Sequence, residues 1–314
     1  MLAPRFARVR LWVFEPDLAE RMRATRVNDL YLPGLRLPEE VEIVTDPGAA
    51  LEDAEVVLSV TPSHVVRDLY GRMLAGLEPR MLFVSATKGL EGGTLMRMSE
   101  VITQVVSARF PPRVAALSGP TFAREVASGE PTALVIASTD EDLAGTIQEA
   151  FSGSTFRLYT NPDLAGVEMA AALKNIIALG AGVCQGLGLG SNIIAALITR
   201  GLVEIRRLAV ALGGRPETLA GLAGLGDLVL TCTGELSRNR QVGIRLGQGQ
   251  SLPEILASMR MVAEGIRTTD AAVELGRRHA VDLPIAHEVF AILHQQKSPR
   301  EAIRHLMDRS LKGE

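Results

Sequence analysis

Residues 8–16 read RVRLWVFEP. Apart from its arginines the run is apolar and β-prone, and it stops at Glu15 and Pro16, so it reads as a buried strand closed by an acidic residue. Similar runs follow at VEIVTD (41–46), AEVVLSVTP (54–62), MLFVSATKG (81–89), RVAALSGPT (113–121), TALVIAS (132–138) and TFRLYTN (155–161). Several are near-continuous in Val, Ile and Leu, as expected of strands covered on both faces, and helical segments such as SHVVRDLYGRMLAGL (63–77) lie between them. This alternation predicts an α/β unit.

After TNPDLAG (160–166) the period changes. VEMAAALKNIIALGAGV (167–183), NIIAALITRGLVEIRRLAVALGG (192–214), LSRNRQVGIRLGQG (236–249), SLPEILASM (251–259) and RTTDAAVELGRRHA (267–280) have helical spacing, with capping residues near their starts and glycines past several ends. The boundary falls at Asn161. Residues 1–161 are expected to form a Rossmann-like doubly wound sheet, and residues 162–314 an all-helical domain.

At 314 residues the chain is long enough for two domains, each with its own core. A net charge of -3 gives no basic footprint for nucleic acid or an anionic membrane, and neither partner is expected. Cys184 and Cys232 are too few for a disulfide framework and lack metal-ligand spacing, so both read as reduced and structural. The histidines have no matching carboxylate or cysteine pattern, and no metal site is expected. The most apolar stretch, 169–198, is interrupted by Lys174, Asn175, Gln185 and Asn192, which argues against a membrane span. The N-terminus lacks the features of a signal peptide, so a cytoplasmic protein is expected.

In a dinucleotide-binding unit the acidic residue that meets the adenosine ribose closes the second strand, about 20 residues beyond a G-x-G-x-x-G turn. Glu15 suits that position, although by itself it reads equally well as the end of a surface strand. Counting back about 20 residues passes Met1, and the chain contains no G-x-G-x-x-G. The clusters GAGVCQG (180–186), GLGLGS (186–191) and GLGDLV (224–229) follow helix or loop sequence and read as packing and turn glycines.

Four longer motifs are more specific. SATKGL (85–90), LSGPTFAREVASGEPTALVIAS (117–138), VEMAAALKNIIALGAGV (167–183) and AGLGDLVLTCTGELSRNRQVG (223–243) resemble, in order and over nearly the whole chain, bacterial NAD(P)-dependent sn-glycerol-3-phosphate dehydrogenases. The resemblance implies interconversion of sn-glycerol 3-phosphate and dihydroxyacetone phosphate with NAD(P)(H), feeding glycerophospholipid synthesis. It also implies a helical domain like the C-terminal one of 6-phosphogluconate dehydrogenase, and a homodimer. RVRLWVFEP then resembles the family's second strand, and MLAPRFA (1–7) reads as the tail of the preceding helix. The family's first strand is central, so its absence is expected to leave the second and fourth strands without their shared partner. Either Met1 lies downstream of the natural start, which the intact later motifs favour, or the protein is shortened and lacks efficient redox activity.

Lys174 lies in AAALKNIIAL (170–179), a helix apolar on most sides. Alone it reads as a lysine snorkelling to solvent. By resemblance it is the proton acceptor, a role that desolvation assists by lowering a lysine pKa towards neutrality. Asn175 beside it would orient the ammonium or the substrate. Ser237 reads as an N-cap and Gly247 as the end of its helix. A lone S-R-N is an ordinary capped surface helix, but the resemblance assigns Ser237, Arg238 and Asn239 to substrate, and such a helix start suits a phosphate. Asp227, read as part of a glycine-flanked loop, is by itself a turn residue; by resemblance it joins the substrate site, where its carboxylate would accept from a hydroxyl or hold Lys174.

Lys88 closes the strand MLFVSATK (81–88), where ligands of open α/β sheets bind. The resemblance places it against substrate and cofactor, with Gly119 and Thr121 in the substrate set. Phe14, Glu15, Ala123, Arg238, Val262 and Glu264 align with cofactor contacts; His64, in the loop after LSVTP, reads like the other histidines as structural or exposed, or else as bordering the cofactor. A carboxylate at Glu15 accepts from the ribose hydroxyls of NAD and repels the 2′-phosphate of NADP, so NAD is expected, with NADP left open. Two other readings stand beside this one: a related hydroxy-acid dehydrogenase, and a non-catalytic protein that binds a triose phosphate. GDLVLTCTGELSRNR (226–240) favours glycerol 3-phosphate.

Overall fold

The computed structural model describes residues 1–259 and 263–310. The α/β unit runs β1 (Val9–Trp12), α1 (Pro16–Thr25), β2 (Val41–Val44), α2 (Pro47–Leu51), β3 (Val56–Ser59), α3 (Val66–Met73), β4 (Leu82–Ser85), α4 (Met98–Val106), β5 (Arg113–Ser118), α5 (Ala123–Ala127), β6 (Thr132–Ala137), α6 (Glu141–Phe151) and β7 (Phe156–Asn161). The helices α7 (Leu164–Gly186), α8 (Ser191–Ala211), α9 (Asp227–Thr233), α10 (Arg238–Gly247), α11 (Leu252–Ala257), α12 (Glu264–Arg278), α13 (Pro284–His294) and α14 (Pro299–Met307) follow. Every strand expected from the apolar runs is present, each shorter than or equal to its run.

The strands form two sheets, β1-β2 and β3-β4-β5-β6-β7. β1 lies parallel to β2 with Val9 opposite Val41, and β3 is parallel to β4 with Val56 opposite Leu82. β1 and β3 therefore each end a sheet. No residue of β1 is buried, and in β3 only Ser59 is. The sheet also departs from an all-parallel order: β6 is antiparallel to β5, and β7 follows β6 in parallel. The link from Ser118 to Thr132 carries only the short α5, and the chain folds back beside β5 instead of crossing over in parallel.

The β1-β2 ribbon has a small core of its own, made by Val13, Leu18, Ala19, Met22 and Ile43. Residues Ala3–Arg5 form one 3-10 turn, not the tail of an α-helix. Arg5 donates from Nε to the Ala150 carbonyl (2.7 Å) and from Nη2 to that of Glu149 (2.9 Å). This satisfies carbonyls that the end of α6 leaves open, while Phe6 packs edge-on against Phe151.

α7 is the hub of the helical part. Residues Gly166 to Cys184 are all buried, so a helix long and apolar enough to cross a membrane here forms the inside of a protein core. Asp163 caps it, accepting from Gly166 N at 2.8 Å. α7 and α10 cross in backbone contact: a Cβ at Gly182 would overlap the Arg240 carbonyl oxygen, and one at Gly243 that of Leu179. Gly186 and Gly247 repeat the contact one turn on. The glycines of GAGVCQG are therefore packing residues, as their sequence setting predicts.

Candidate active site

Lys174 does not snorkel. The residue is 5% exposed, and its Nζ donates to Asp227 Oδ1 and to Thr231 Oγ1 (2.8 Å). Burial, and next the charge of Lys88, lower its ammonium to a pKa of about 7 against the opposing pull of Asp227. Asp227 is 1% exposed and serves two cations, since its Oδ2 accepts from Lys88 Nζ at 2.7 Å. Lys88 also donates to the Gly119 carbonyl (3.0 Å) and to Thr121 Oγ1 (3.3 Å). Gly119 has φ +150, and a Cβ there would lie 2.8 Å from Leu134 Cβ, so only glycine turns this carbonyl towards the lysine. Lys88, Gly119, Thr121, Lys174 and Asp227 thus form one cluster across the two halves of the chain.

Asp227 is not in a loop. Residues Leu222–Gly226 make a π-helical turn that runs directly into α9, with Asp227 as its first residue. The wide turn depends on Gly224, where a Cβ would overlap the Leu219 carbonyl oxygen. Helical spacing then puts Thr231 one turn beyond Asp227. Its hydroxyl donates to the Asp227 carbonyl at 2.6 Å, which leaves its lone pairs for Lys174. Thr231 escaped the sequence reading because the loop assignment hid this i, i+4 relation.

The start of α10 lies beside the cluster. Ser237 caps it, its Oγ accepting from Arg240 N at 3.3 Å. Asn239 Nδ2 donates to Asn175 Oδ1 (2.9 Å), and Asn239 Oδ1 accepts from Gly265 N (2.9 Å). Asn239 and Asn175 therefore tie α10 to α7 and α12, and Asn239 keeps one amide N–H beyond these bonds. Arg238 feels the charge of Glu264 at the start of α12.

Glu264 joins the halves a second time: Ser63 donates to it from its backbone N (3.1 Å) and its Oγ (2.8 Å). Gly89 closes over this pair, with its hypothetical Cβ 2.9 Å from Ser63 Oγ. Burial, and next Arg267, lower the pKa of neighbouring His64, which Glu264 opposes. Phe14 and Glu15 stand apart on the ribbon. Phe14 is 68% exposed, and Glu15 Oε1 accepts from Tyr31, a residue with no sequence signal. Arg124, next to Ala123, donates to the Pro33 carbonyl at 3.2 Å and so ties α5 to the loop that carries Tyr31. Val262 lies outside the described residues.

Cys184 and Cys232 are buried, which raises their thiols to about 11 and about 12, and neither suits a nucleophile. No group of three or more metal-ligating side chains occurs among the described residues.

Two family models match the chain: NAD-dependent glycerol-3-phosphate dehydrogenase N-terminus over residues 1–144 and C-terminus over residues 163–304. A glycerol-3-phosphate dehydrogenase (NAD(P)+) of Koribacter versatilis is 58% identical over 302 residues, covering 96% of this chain and 90% of the relative. One from a Geobacter species is 49% identical over 314 residues, covering 100% and 94%. The crystal structure of glycerol-3-phosphate dehydrogenase from Coxiella burnetii superposes with a TM-score of 0.93 at 40% identity, over 98% of this chain and 94% of that one. The chain belongs to the NAD-dependent glycerol-3-phosphate dehydrogenase family.

Proposed function

We propose that the chain interconverts sn-glycerol 3-phosphate and dihydroxyacetone phosphate with NAD(P)(H), with residues 1–161 serving the cofactor and residues 162–314 the substrate. The observation that carries this reading is a buried lysine of near-neutral pKa, held by a carboxylate shared with a second lysine, next to a capped helix start. As a neutral amine Lys174 has two N–H bonds, and Asp227 and Thr231 accept them. Its lone pair is then left for the C2 hydroxyl proton of the substrate. As an ammonium, its third N–H is the donor to the C2 ketone oxygen.

In this reading Ser237, Arg238 and Asn239 bind the substrate through the start of α10, a charge-assisted setting for a phosphate. Lys88, Gly119 and Thr121 complete the substrate set, and Lys88 and Arg238 also face the cofactor. The nicotinamide, when bound, supplies the hydride acceptor or donor for C2. The donor set fits the cofactor at its two ends. Glu15, held by Tyr31 at the start of α1, suits ribose hydroxyls, while Glu264 lies against Gly89, next to Lys88, and Ala123 follows Thr121 by two residues. This favours NAD over NADP. By family resemblance the protein is a cytoplasmic homodimer that supplies glycerophospholipid synthesis; sedimentation equilibrium tests the dimer.

Oxidation of NADH on addition of dihydroxyacetone phosphate is the direct assay. Lys174→Met is expected to lower kcat by about 10²–10⁴-fold. Undiminished turnover in that variant would overturn the assignment of the base.

A further inference from the structure

A cleft of about 380 Å³ opens where β6 and β7 meet the segment 215–223, apart from the lysine cluster. Its volume suits a small ligand. Val135 and Leu222 give it an apolar wall, and Thr160 and Asn161 a polar one. Arg215 and Glu217 line the same cleft, both exposed. Among the described residues neither makes an ion pair with the other or with a further side chain.

We infer that this cleft binds a small zwitterion with a short aliphatic body: an anionic group on Arg215, an ammonium on Glu217, and the hydrocarbon against Val135 and Leu222. The charges of the cleft are opposite and unpaired with each other, so a ligand that carries both is matched at each end.

Occupation of the cleft reaches the lysine cluster by two short routes, one through hydrogen bonds and one along the chain. The first is Asp163, 5% exposed, whose Oδ1 caps α7 at Gly166. Its Oδ2 accepts from Arg215 N (2.8 Å) and from Thr218 Oγ1 (2.6 Å), both in the cleft wall. The cap of the helix that carries Lys174 is thus bonded to the segment that would hold the ligand. The second route is the π-helical turn, which begins in the wall at Leu222 and ends one residue before Asp227. A ligand that bridges Arg215 and Glu217 therefore braces the first turn of α7 and the approach to Asp227 together.

Titration calorimetry on the intact protein, with L-leucine in one arm and phosphoethanolamine in the other, tests the inference and separates a carboxylate from a phosphate source. Saturable binding of at least one probe is expected. It should weaken at least tenfold in the Arg215→Met, Glu217→Gln double variant and persist in Lys174→Met. Both replaced residues are exposed, so circular dichroism should show an unchanged fold. Hydrogen exchange of the Gly166 and Val167 amides should slow when the probe is bound. Absence of saturable binding by both probes, or equal binding to the double variant, would overturn the site. Unchanged exchange at the start of α7 would overturn the coupling.

Discussion

The α7-α10 pair and the β1-β2 ribbon hold the side chains proposed for the base and for the adenosine end of the cofactor in opposite ways. Glycines 182, 186, 243 and 247 bring the two helices into backbone contact, so Lys174 and the start of α10 share one rigid frame. The ribbon has five buried core residues and is joined to its surroundings through side chains. One such link is Arg10, which reaches Glu52 beyond α2; another is Trp12, whose side chain packs against the core cluster that includes Leu51, Tyr70 and Phe83. Proton transfer needs a base fixed to a fraction of an ångström, whereas the adenosine end of a cofactor tolerates a looser support.

The comparison breaks first at the helix crossing. Gly182→Val is expected to force α10 away from α7, costing about 3 kcal/mol in urea unfolding and most of kcat. Wild-type-like turnover in a folded variant would show that the backbone contact is not what sets the geometry. In the ribbon, Leu18→Ala should cost about 2–5 kcal/mol locally, and its kinetic signature should be a raised KM for NADH with kcat largely kept. A fall in kcat equal to that of the helix variant would erase the distinction.

Smaller effects sharpen it. Thr231→Val removes one acceptor from Lys174, and kcat should fall about tenfold at unchanged KM for the triose. The apparent pKa of the base should also move down, because the ammonium loses a partner. For the unaltered protein the sign follows from a lysine lowered to about 7. Ketone reduction, which uses the ammonium, should decline as pH rises through about 7, and alcohol oxidation, which uses the amine, should increase. Parallel profiles in the two directions would contradict this. Smallest of all, Tyr31→Phe frees the Glu15 carboxylate, and the preference for NAD over NADP, read as the ratio of kcat/KM values, should drop by only a few-fold.

Periodicity made the strands and α7 legible, because near-continuous apolar runs and an interrupted helical one impose their own geometry. The long motifs around Lys88, Gly119, Lys174, Asp227 and Ser237 pointed to residues that lie close together in the fold. What stayed hidden depends on contacts between distant segments. The glycine-rich AGLAGLG suggests a turn that would leave Asp227 in a loop, whereas Gly224 is there to let the chain pack on Leu219. The reversed direction of β6 goes with the short connection through α5, and apolar runs by themselves carry no strand direction. Tyr31 and Ser63 act only through Glu15 and Glu264, and the opening 3-10 turn takes its shape from docking on α6.

Asp227 is divided between two amines, and that division makes Lys88 an electrostatic counterweight. Its positive charge helps keep Lys174 ready to lose a proton. Replacing Lys88 would strengthen the grip of the carboxylate on Lys174 and move the working range of the base towards alkali. The acidity of the reacting centre is thus adjustable from the loop after β4, where Lys88 stands three residues past the strand's end at Ser85, with the helix that bears the base left untouched.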